Sequence, residues 1–226
     1  MPKPYNPQDR YFKKAKEEGY KARSAFKLQE IQEKLRVMRP GDMVLDLGAA
    51  PGSFLQYTSK VIGPKSQALG LDLQEIELSL PNVETAVGDI SDDTKVEESV
   101  KAFFKKIAES ENGNGNGALT RVGHRFDVIL SDLAPSTSGV KDIDQWKSVE
   151  LCMQVMEIAK KWLKPHGNLV MKIFQGADFD EFYREVKKHF KTLKIAKPDA
   201  VRDRSREVYL VCLEYMSKTN VCANKS

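Results

Sequence analysis

The sequence is 226 residues long, with 41% hydrophobic residues, 30% charged residues and a mean hydropathy of −0.47, values that exclude collagen, coiled coils and chains disordered throughout. The formal net charge is only +4, but two segments are strongly basic: residues 1–27 hold eight Lys and Arg against three acids, and residues 182–206 hold nine against three. Two such segments on one small domain favour a polyanionic partner, although either alone is typical of a solvated face.

The cysteines and the apolar runs bear on the compartment. Cys152, Cys212 and Cys222 form no CxxC pair and their number is odd, which favours unpaired thiols in a reducing compartment. No apolar run reaches the roughly 18 residues of a membrane span, and the first 19 residues lack the apolar core of a secretory leader. We therefore expect a cytoplasmic protein, and the spacing of the histidines predicts no metal site.

The predicted elements begin after a basic arm over residues 1–22. Apolar residues at helical spacing predict a helix over residues 24–36, which the Pro40–Gly41 turn follows. The run MVLDL over residues 43–47 is predicted to be a buried strand, and an amphipathic helix is predicted over residues 54–62. The domain therefore begins with a helix and continues as strand, glycine-containing loop and helix.

The remaining predicted elements continue the alternation of strand and helix. Strands are predicted over residues 68–73, 83–87, 126–131, 168–174, 192–196 and 207–213. Helices are predicted over residues 94–109, 145–163 and 179–190. The Gly- and Asn-rich stretch 110–123 is predicted to be a mobile insertion without chemistry, and residues 216–226 are predicted to be a frayed tail.

This alternation predicts the fold class. Strands separated by helical segments of about ten or more residues form right-handed βαβ units and a parallel sheet. We expect a single α/β domain over residues 23–215, with a doubly wound, mostly parallel, seven-stranded sheet of the Rossmann-like kind. The sequence shows no internal repeat and requires no second domain.

The first predicted strand ends in a loop suited to a ligand. In open α/β sheets, ligands bind beyond the carboxyl ends of the strands, where the strand order reverses. The segment from Asp46 to Phe54 (DLGAAPGSF) places two glycines and two alanines where the backbone turns, so a bulky ligand can approach main-chain N–H groups. The segment lacks the GxGxxG of dinucleotide sites. An acid before such a loop suits a ligand with an ammonium group, such as a methionine moiety.

Two more acids follow the next two predicted strands. Asp72 lies where a carboxylate accepts hydrogen bonds from ribose hydroxyls, and Asp89 lies beside Ile90 where an adenine would dock. The alternative is that these acids only cap helices or turns. The order of acids and loop predicts an S-adenosylmethionine site. Its predicted residues are Asp46, Gly48, Ala49, Pro51, Gly52, Phe54, Asp72, Leu73, Asp89, Ile90 and Asp132.

Four ionisable residues are candidates for chemistry. Asp132 closes the fourth strand in SDLAP, and Lys172 lies inside the apolar strand LVMKIF, where a lysine needs a partner or an active site. The alternative interpretation of Lys172 is a buried ion pair without chemistry. Glu207 begins the run EVYLVCL, and Lys27 lies in SAFKL. The side chains of Asp132 and Lys172 are expected to open into the same crevice.

Five stretches occur in an order that one family shows: KAKEEGYKARSAFKLQEI, VLDLGAAPGSF, SDLAPSTSG, VMKIFQG and SREVYLV. From residue 8 to residue 213 the chain resembles the FtsJ-type ribose 2′-O-methyltransferases, the heat-shock ribosomal RNA methyltransferases. The resemblance implies a Lys-Asp-Lys-Glu tetrad around the target ribose, which falls here on Lys27, Asp132, Lys172 and Glu207. One departure is Phe54, which stands where many relatives carry a tryptophan beside the cofactor.

The resemblance implies S-adenosylmethionine-dependent 2′-O-methylation of a uridine in large-subunit ribosomal RNA, within the large subunit or its precursor. We expect a monomer without a metal, whose basic arm and residues 182–206 contact RNA phosphates. Lys172 is expected either to deprotonate the 2′-hydroxyl or, if carboxylates keep it charged, to orient the oxygen. Three alternatives stay open: a transfer-RNA anticodon-loop methyltransferase, a catalytically inactive RNA-binding assembly factor and a small-molecule methyltransferase.

Overall fold

The computed structural model describes residues 10–112, 124–202 and 205–217 of the chain. Residues 113–123 of the predicted insertion and residues 218–226 of the predicted tail lie outside these ranges. Within the described ranges, no helix is both long and apolar enough to cross a membrane.

Six helices and seven strands lie in the described part of the chain. In chain order they are α1 (Arg10–Glu17), α2 (Ser24–Leu35), β1 (Val44–Leu47), α3 (Ser53–Ile62), β2 (Ala68–Asp72), β3 (Val83–Val87), α4 (Asp93–Asn112), β4 (Phe126–Ser131), α5 (Lys141–Trp162), β5 (Leu163–Phe174), α6 (Phe179–Lys187), β6 (Phe190–Ala196) and β7 (Glu207–Tyr215). The strands β2, β3, β4 and β7 begin at the residues that the sequence predicts.

The strands form one seven-stranded sheet in the order β3-β2-β1-β4-β5-β7-β6. Neighbouring strands from β3 to β5 pair in parallel, whereas β7 is antiparallel to both β5 and β6. The α/β class and the mostly parallel, seven-stranded sheet are therefore confirmed. The chain runs outward from β1 to β3 on one side and from β4 on the other, so the strand order reverses between β1 and β4.

Helices cover both faces of this sheet, as a parallel sheet requires. One core cluster joins α4, α5 and α6 to one face, and a second joins α2 and α3 to the other. The four residues of β1 are all buried. Because side chains alternate along a strand, Leu45 and Leu47 lie in the first cluster, and Val44 lies in the second. Asp46 therefore points toward the face that α2 and α3 cover.

The basic arm contains a helix that the sequence analysis does not predict. Helix α1 buries Ala15 in a third cluster with Tyr20, Phe26 and Ala200. The Tyr20 and Phe26 rings meet edge to face, with centroids 5.6 Å apart. The short helix has one fully buried residue, and its stability comes from contacts with α2 and the loop before β7. A sequence pattern of eight mostly charged residues cannot reveal such contacts.

The largest difference in a strand boundary is at β5, which begins at Leu163 rather than at residue 168. The sequence of the segment Lys164–Gly167 is typical of a turn because it contains a proline and a glycine. It forms instead an irregularity inside the strand: the register with β4 shifts between Phe126 and Val128, and His166 has a φ of 63°. Leu163 pairs with Phe126, so the strand starts before the irregularity.

Candidate active site

The loop after β1 lies at the point where the strand order reverses, the usual place for a ligand in such sheets. Gly48 has a φ of +76°, and a Cβ there would lie 2.5 Å from the Leu133 side chain in the loop after β4. The N–H groups of Gly48 and Ala49 donate to the Leu71 carbonyl at 2.8 and 3.2 Å. Glycine at position 48 is therefore needed both for the backbone conformation and for the close approach of the two loops.

Asp46, the third residue of β1, is fully buried. Its exposed fraction is 0%, and among the described residues neither carboxylate oxygen has a hydrogen-bond partner. Burial raises the pKa of the Asp46 carboxyl well above its ordinary value, and the charges of Asp132 and Asp72 raise it further. An unpartnered buried carboxylate is costly, so a cationic group at this position would be strongly favoured.

Asp72 and Asp89 both accept backbone hydrogen bonds. The Asp72 carboxylate accepts from the N–H groups of Ala50 and Gln74, each at 2.9 Å, and so ties the loop after β1 to β2. Asp89 accepts from the Ser91 N–H at 2.9 Å, and hydrogen bonds from Ser91 lower the pKa of the Asp89 carboxyl. Both acids therefore stabilise turns, but each carboxylate oxygen has a second lone pair that a ligand can use.

The other residues predicted for the cofactor differ in exposure. Leu73, directly after Asp72, is 68% exposed. Phe54 and Ile90 are buried in the two core clusters, at 2% and 7% exposure. The remaining predicted positions, Gly52 at the start of α3, buried Ala49 and exposed Pro51, lie in the loop itself.

The four ionisable side chains predicted from the resemblance form two ion pairs. Lys27 Nζ in α2 lies 2.5 Å from Glu207 Oε1 in β7, and the side chains are 9% and 13% exposed. Lys172 Nζ in β5 lies 3.1 Å from Asp132 Oδ1 and also donates to the Asp132 carbonyl oxygen. Residues 180 positions apart in the chain are thus brought into contact.

A tyrosine that the sequence analysis misses joins these two pairs. The Tyr209 hydroxyl lies 2.5 Å from Asp132 Oδ1 and 3.2 Å from Glu207 Oε1. A hydroxyl has one proton to donate, and the shorter distance assigns it to Asp132. Tyr209 is fully buried. The four charged groups and this hydroxyl therefore form one connected network.

The register of β7 on β5 explains this convergence. Lys172 lies directly opposite Tyr209, and Phe174 lies opposite Glu207. Side chains directly opposite each other in an antiparallel pair share a face, and Glu207 shares that face with Tyr209 because it is two residues away. The period of two in EVYLVCL was the signal that could have identified Tyr209 beside Glu207.

The network sets the charge states at neutral pH. Burial by itself would raise the pKa of the Asp132 carboxyl, but the Lys172 and Lys27 ammonium groups and the Tyr209 hydrogen bond bring it below its ordinary value. Burial, followed by the charges of Asp132 and Glu207, raises the pKa of the Tyr209 hydroxyl well above its ordinary value. Asp132 is therefore a carboxylate and Tyr209 a neutral donor at neutral pH.

Helix α5 holds the strand that carries Lys172. The Cys152 thiol donates to the Lys172 carbonyl at 3.1 Å, and the Ser148 hydroxyl accepts from the Phe174 N–H at 3.0 Å. Burial raises the pKa of the Cys152 thiol to about 12, so the thiol stays protonated and remains a donor. Cys152 and Cys212 are both free and buried; Cys222 lies outside the described residues.

The sequence and the fold match one family. The family model described as FtsJ-like methyltransferase matches residues 20–215. The chain belongs to this family. It is 40% identical over 209 residues, 92% of this chain and 97% of the relative, to a Bdellovibrio bacteriovorus protein named ribosomal RNA large subunit methyltransferase E. A Desulfatibacillum aliphaticivorans protein of the same name is 42% identical, with 90% of this chain and 89% of the relative covered.

A solved structure agrees with this family assignment. A crystal structure from Plasmodium falciparum, provisionally described as a ribosomal RNA methyltransferase, matches 88% of this chain and 100% of its own, with a TM-score of 0.71 and 26% identity. Membership of a methyltransferase family implies S-adenosylmethionine as the methyl donor in general. Within residues 10–112, 124–202 and 205–217, no three His, Cys, Asp or Glu side chains are placed to hold a metal ion.

Removing the Tyr209 hydroxyl is expected to slow methyl transfer at least about tenfold, because a hydrogen bond to a charged group contributes about 1.5–3 kcal/mol. The Tyr209 hydrogen bond also lowers the pKa of Asp132, so Tyr209→Phe should shift the acidic limb of the pH–rate profile to higher pH. The matched control is Tyr215→Phe, a buried tyrosine at the other end of β7. A slower Tyr209→Phe enzyme with an unshifted profile would contradict this positioning role.

Proposed function

We propose that the chain transfers the methyl group of S-adenosylmethionine to the 2′-hydroxyl of a ribose, in a uridine of large-subunit ribosomal RNA. The observation that carries this proposal is the single network of two ion pairs, joined by Tyr209, close to the buried Asp46, whose carboxylate oxygens have no hydrogen-bond partner among the described residues. The identity of the RNA is supported by the names of the relatives.

The residues of the crevice fit S-adenosylmethionine. The unpartnered Asp46 carboxylate would accept the methionine ammonium group, and the backbone at Gly48 has no room for a Cβ. Asp72 would accept hydrogen bonds from the ribose hydroxyls with its remaining lone pairs. The exposed Leu73 and the Asp89 carboxylate would flank the adenine. When bound, the cofactor supplies an electrophilic methyl group on a sulfonium.

Positioning accounts for most of the proposed catalysis, because the methyl group is already electrophilic. Asp132 holds the Lys172 ammonium group at 3.1 Å, and that ammonium group would donate to the 2′-oxygen and orient one of its lone pairs. Asp132 is a weak base because its pKa is lowered. The proton of the methylated oxygen, which becomes strongly acidic once the O–CH3 bond forms, would therefore leave to water.

The second ion pair forms the other wall of the proposed ribose site. Lys27 and Glu207 are held together at 2.5 Å with little exposure, and the Tyr209 hydroxyl links Glu207 to Asp132. Truncating either partner would leave a buried charge uncompensated. We propose that this pair fixes the ribose against the Lys172 ammonium group rather than taking the proton.

The two basic segments are neighbours in the fold, which supports an RNA-binding surface. Ala200 lies in one cluster with Ala15 and Tyr20 of the arm, and Glu30 accepts from the N–H groups of Asp199 and Ala200. Tyr20 is buried and cannot stack on a base, whereas Phe12 is 46% exposed. Exposed basic residues of α1 and of the second segment beyond α6 include Lys13, Lys16, Lys194 and Lys197.

RNA binding should depend steeply on salt, because lysine contacts with phosphates release counterions. Lys16→Ala and Lys194→Ala are each expected to reduce the slope of log affinity against log salt by about one. The matched control is Lys65→Ala, an exposed lysine just before β2 at the opposite end of the sheet. The measurement is equilibrium binding to large-subunit RNA at several salt concentrations. An equal loss of slope in Lys65→Ala would show that Lys16 and Lys194 are not specific contacts of the RNA-binding surface.

The decisive experiment is mass-spectrometric mapping of ribose methylation. The purified protein and S-adenosylmethionine are supplied with large ribosomal subunits from cells that lack this protein, with the deproteinised RNA of those subunits, and with transfer RNA. The expected product is one 2′-O-methylated uridine in large-subunit RNA. Methylation confined to transfer RNA, or no methyl transfer to any of the three, would overturn the proposal in favour of the transfer-RNA enzyme or the inactive assembly factor.

A further inference from the structure

A groove of about 520 Å³ lies between α5 and α6. Its lining includes buried apolar side chains that belong to the core cluster of this face: Val149, Met156, Phe182 and Val186. Helix α5 uses its inner side, at Ser148 and Cys152, to hold β5. The groove therefore lies on the outer side of the same helix, and the proposed methyl transfer uses none of its residues.

Two large apolar side chains stand exposed at this groove. Trp146 and Met153 are 52% and 53% exposed. They are seven residues apart on α5, which is two helical turns, so both face the same direction. Trp146 and Met153 are therefore about 10 Å apart along the α5 axis. Apolar side chains two turns apart on a second helix have the same spacing. Tryptophan and methionine are side chains that anchor protein interfaces.

The rim of the groove is acidic, in contrast to the rest of a basic protein. Five carboxylates line it against one lysine and one histidine: Glu150, Glu157, Asp178, Glu181, Glu185, Lys160 and His189. Glu157 pairs with Lys160 and Glu185 with Lys188, each at 2.6 Å. Within the described ranges, Glu150 and Glu181 have no ion pair. RNA phosphates would be repelled here, whereas a cationic apolar partner would be attracted.

We propose that this groove docks a basic amphipathic helix of another protein. Its apolar side chains, at positions i, i+3, i+4 and i+7, would pack between Trp146 and Met153 over the buried floor. Its flanking Lys and Arg would pair with Glu150 and Glu181. The proposal goes beyond methyl transfer: it gives the chain a protein-binding surface on α5 and α6, separate from the basic surface formed by α1 and the segment before β7.

The test uses intrinsic fluorescence, because the sequence has only two tryptophans. In the Trp162→Phe variant, the exposed Trp146 is the single emitter. The probe is an 18-residue helical peptide of leucine and lysine, without tryptophan, whose leucines form one apolar stripe. We expect a saturable blue shift of the Trp146 emission. The complementary Trp146→Phe variant retains only Trp162, which is 9% exposed, and should show no shift.

Charge reversal separates docking from general attraction to an acidic surface. The double variant Glu150→Lys, Glu181→Lys is expected to weaken peptide binding at least about tenfold, as loss of close charge pairs does at interfaces. The matched control, Glu75→Lys with Glu77→Lys, reverses two exposed acids in the loop after β2 and should retain binding. Sedimentation of both double variants and of Trp162→Phe confirms that each remains folded and compact.

Four outcomes would overturn the proposal. They are equal binding of a scrambled peptide of the same composition, an unchanged Trp146 emission, equal weakening by the control reversal, and occupation of the groove by a second copy of this chain. The last is detected by sedimentation, as a dimer that Met153→Asp converts to a monomer. The docking proposal is supported by a blue shift of the Trp146 emission that requires both the apolar stripe of the peptide and the glutamates Glu150 and Glu181.

Discussion

Replacing Lys172 with methionine is expected to reduce methyl transfer to RNA by about 10²–10⁴-fold, the range for removing a group that positions or stabilises a reacting oxygen. Methionine keeps the length of the side chain but removes the ammonium group that Asp132 holds at 3.1 Å. The loop after β1 is untouched, so S-adenosylmethionine should still bind. Single-turnover methyl transfer and calorimetric binding of the cofactor measure the two effects separately.

Loss of folding must be distinguished from loss of catalysis in this variant. Removing one partner of a buried ion pair costs about 3–5 kcal/mol, so Lys172→Met is compared with the double variant Lys172→Met, Asp132→Asn, which leaves no unpaired charge. The control is Lys106→Met, an exposed lysine that pairs with Glu84 on the surface. If either Lys172 variant binds cofactor and retains more than a tenth of the activity, Lys172 does not act on the ribose.

Replacing Asp46 with asparagine is expected to weaken S-adenosylmethionine binding by about 10–100-fold, because a hydrogen bond to a charged group contributes about 1.5–3 kcal/mol. Asparagine preserves the shape of the side chain but cannot neutralise the methionine ammonium group. The buried, unpartnered carboxylate is the feature that predicts this loss. Calorimetric titration with cofactor measures it, and unchanged affinity would show that the ammonium group binds elsewhere.

Asp46→Asn weakens cofactor binding, but it is expected to increase the folding stability of the cofactor-free protein relative to the parent chain as pH rises. The folded-state pKa of Asp46 lies well above its ordinary value, first because of burial and then because of Asp132 and Asp72. A raised carboxyl pKa means that the folded state binds more protons, so stability is lost as pH rises from about 4 to the folded-state pKa. Asp46→Asn lacks this loss.

Urea denaturation of the cofactor-free protein at several pH values tests this second effect. The stability of Asp46→Asn relative to the parent chain should increase as pH rises and then become constant. The control is Asp142→Asn, which removes an exposed carboxylate in the first turn of α5 that does not act on Asp46. A difference between Asp46→Asn and the parent that does not vary with pH would contradict a raised pKa at Asp46.

Local sequence patterns predict most of this fold. All seven strands are found, because each is a short apolar run bounded by turn residues, and the alternation with helices predicts their parallel arrangement. Helix α1 is missed because its buried Ala15 packs in a cluster with Phe26 of the next helix and with Ala200, which is far along the chain. The start of β5 is missed because Pro165 and Gly167 are typical of a turn, whereas Leu163 and Asn168 on either side of them both pair with β4.

The candidate site also has features that the sequence predicts and features that only the structure shows. The acids at the ends of β1, β2 and β3 are visible in the sequence. Only the structure separates Asp46, which has no hydrogen-bond partner among the described residues, from Asp72 and Asp89, which accept backbone hydrogen bonds. Lys172 stands out as a lysine in an apolar strand. That Asp132 is its partner, and that Tyr209 joins Asp132 to Glu207, depends on contacts between strands.

Patterns local to the chain therefore determined the α/β class, the loop after β1 and the ionisable residues at strand ends, because periodicity and turn chemistry depend on near neighbours. The tertiary structure alone decided which charges pair, since Lys27 and Glu207 meet only when β7 inserts antiparallel beside β5 and α2 packs over them. It also decided that the outer side of α5 remains partly exposed, because the surface left uncovered depends on how all the helices pack.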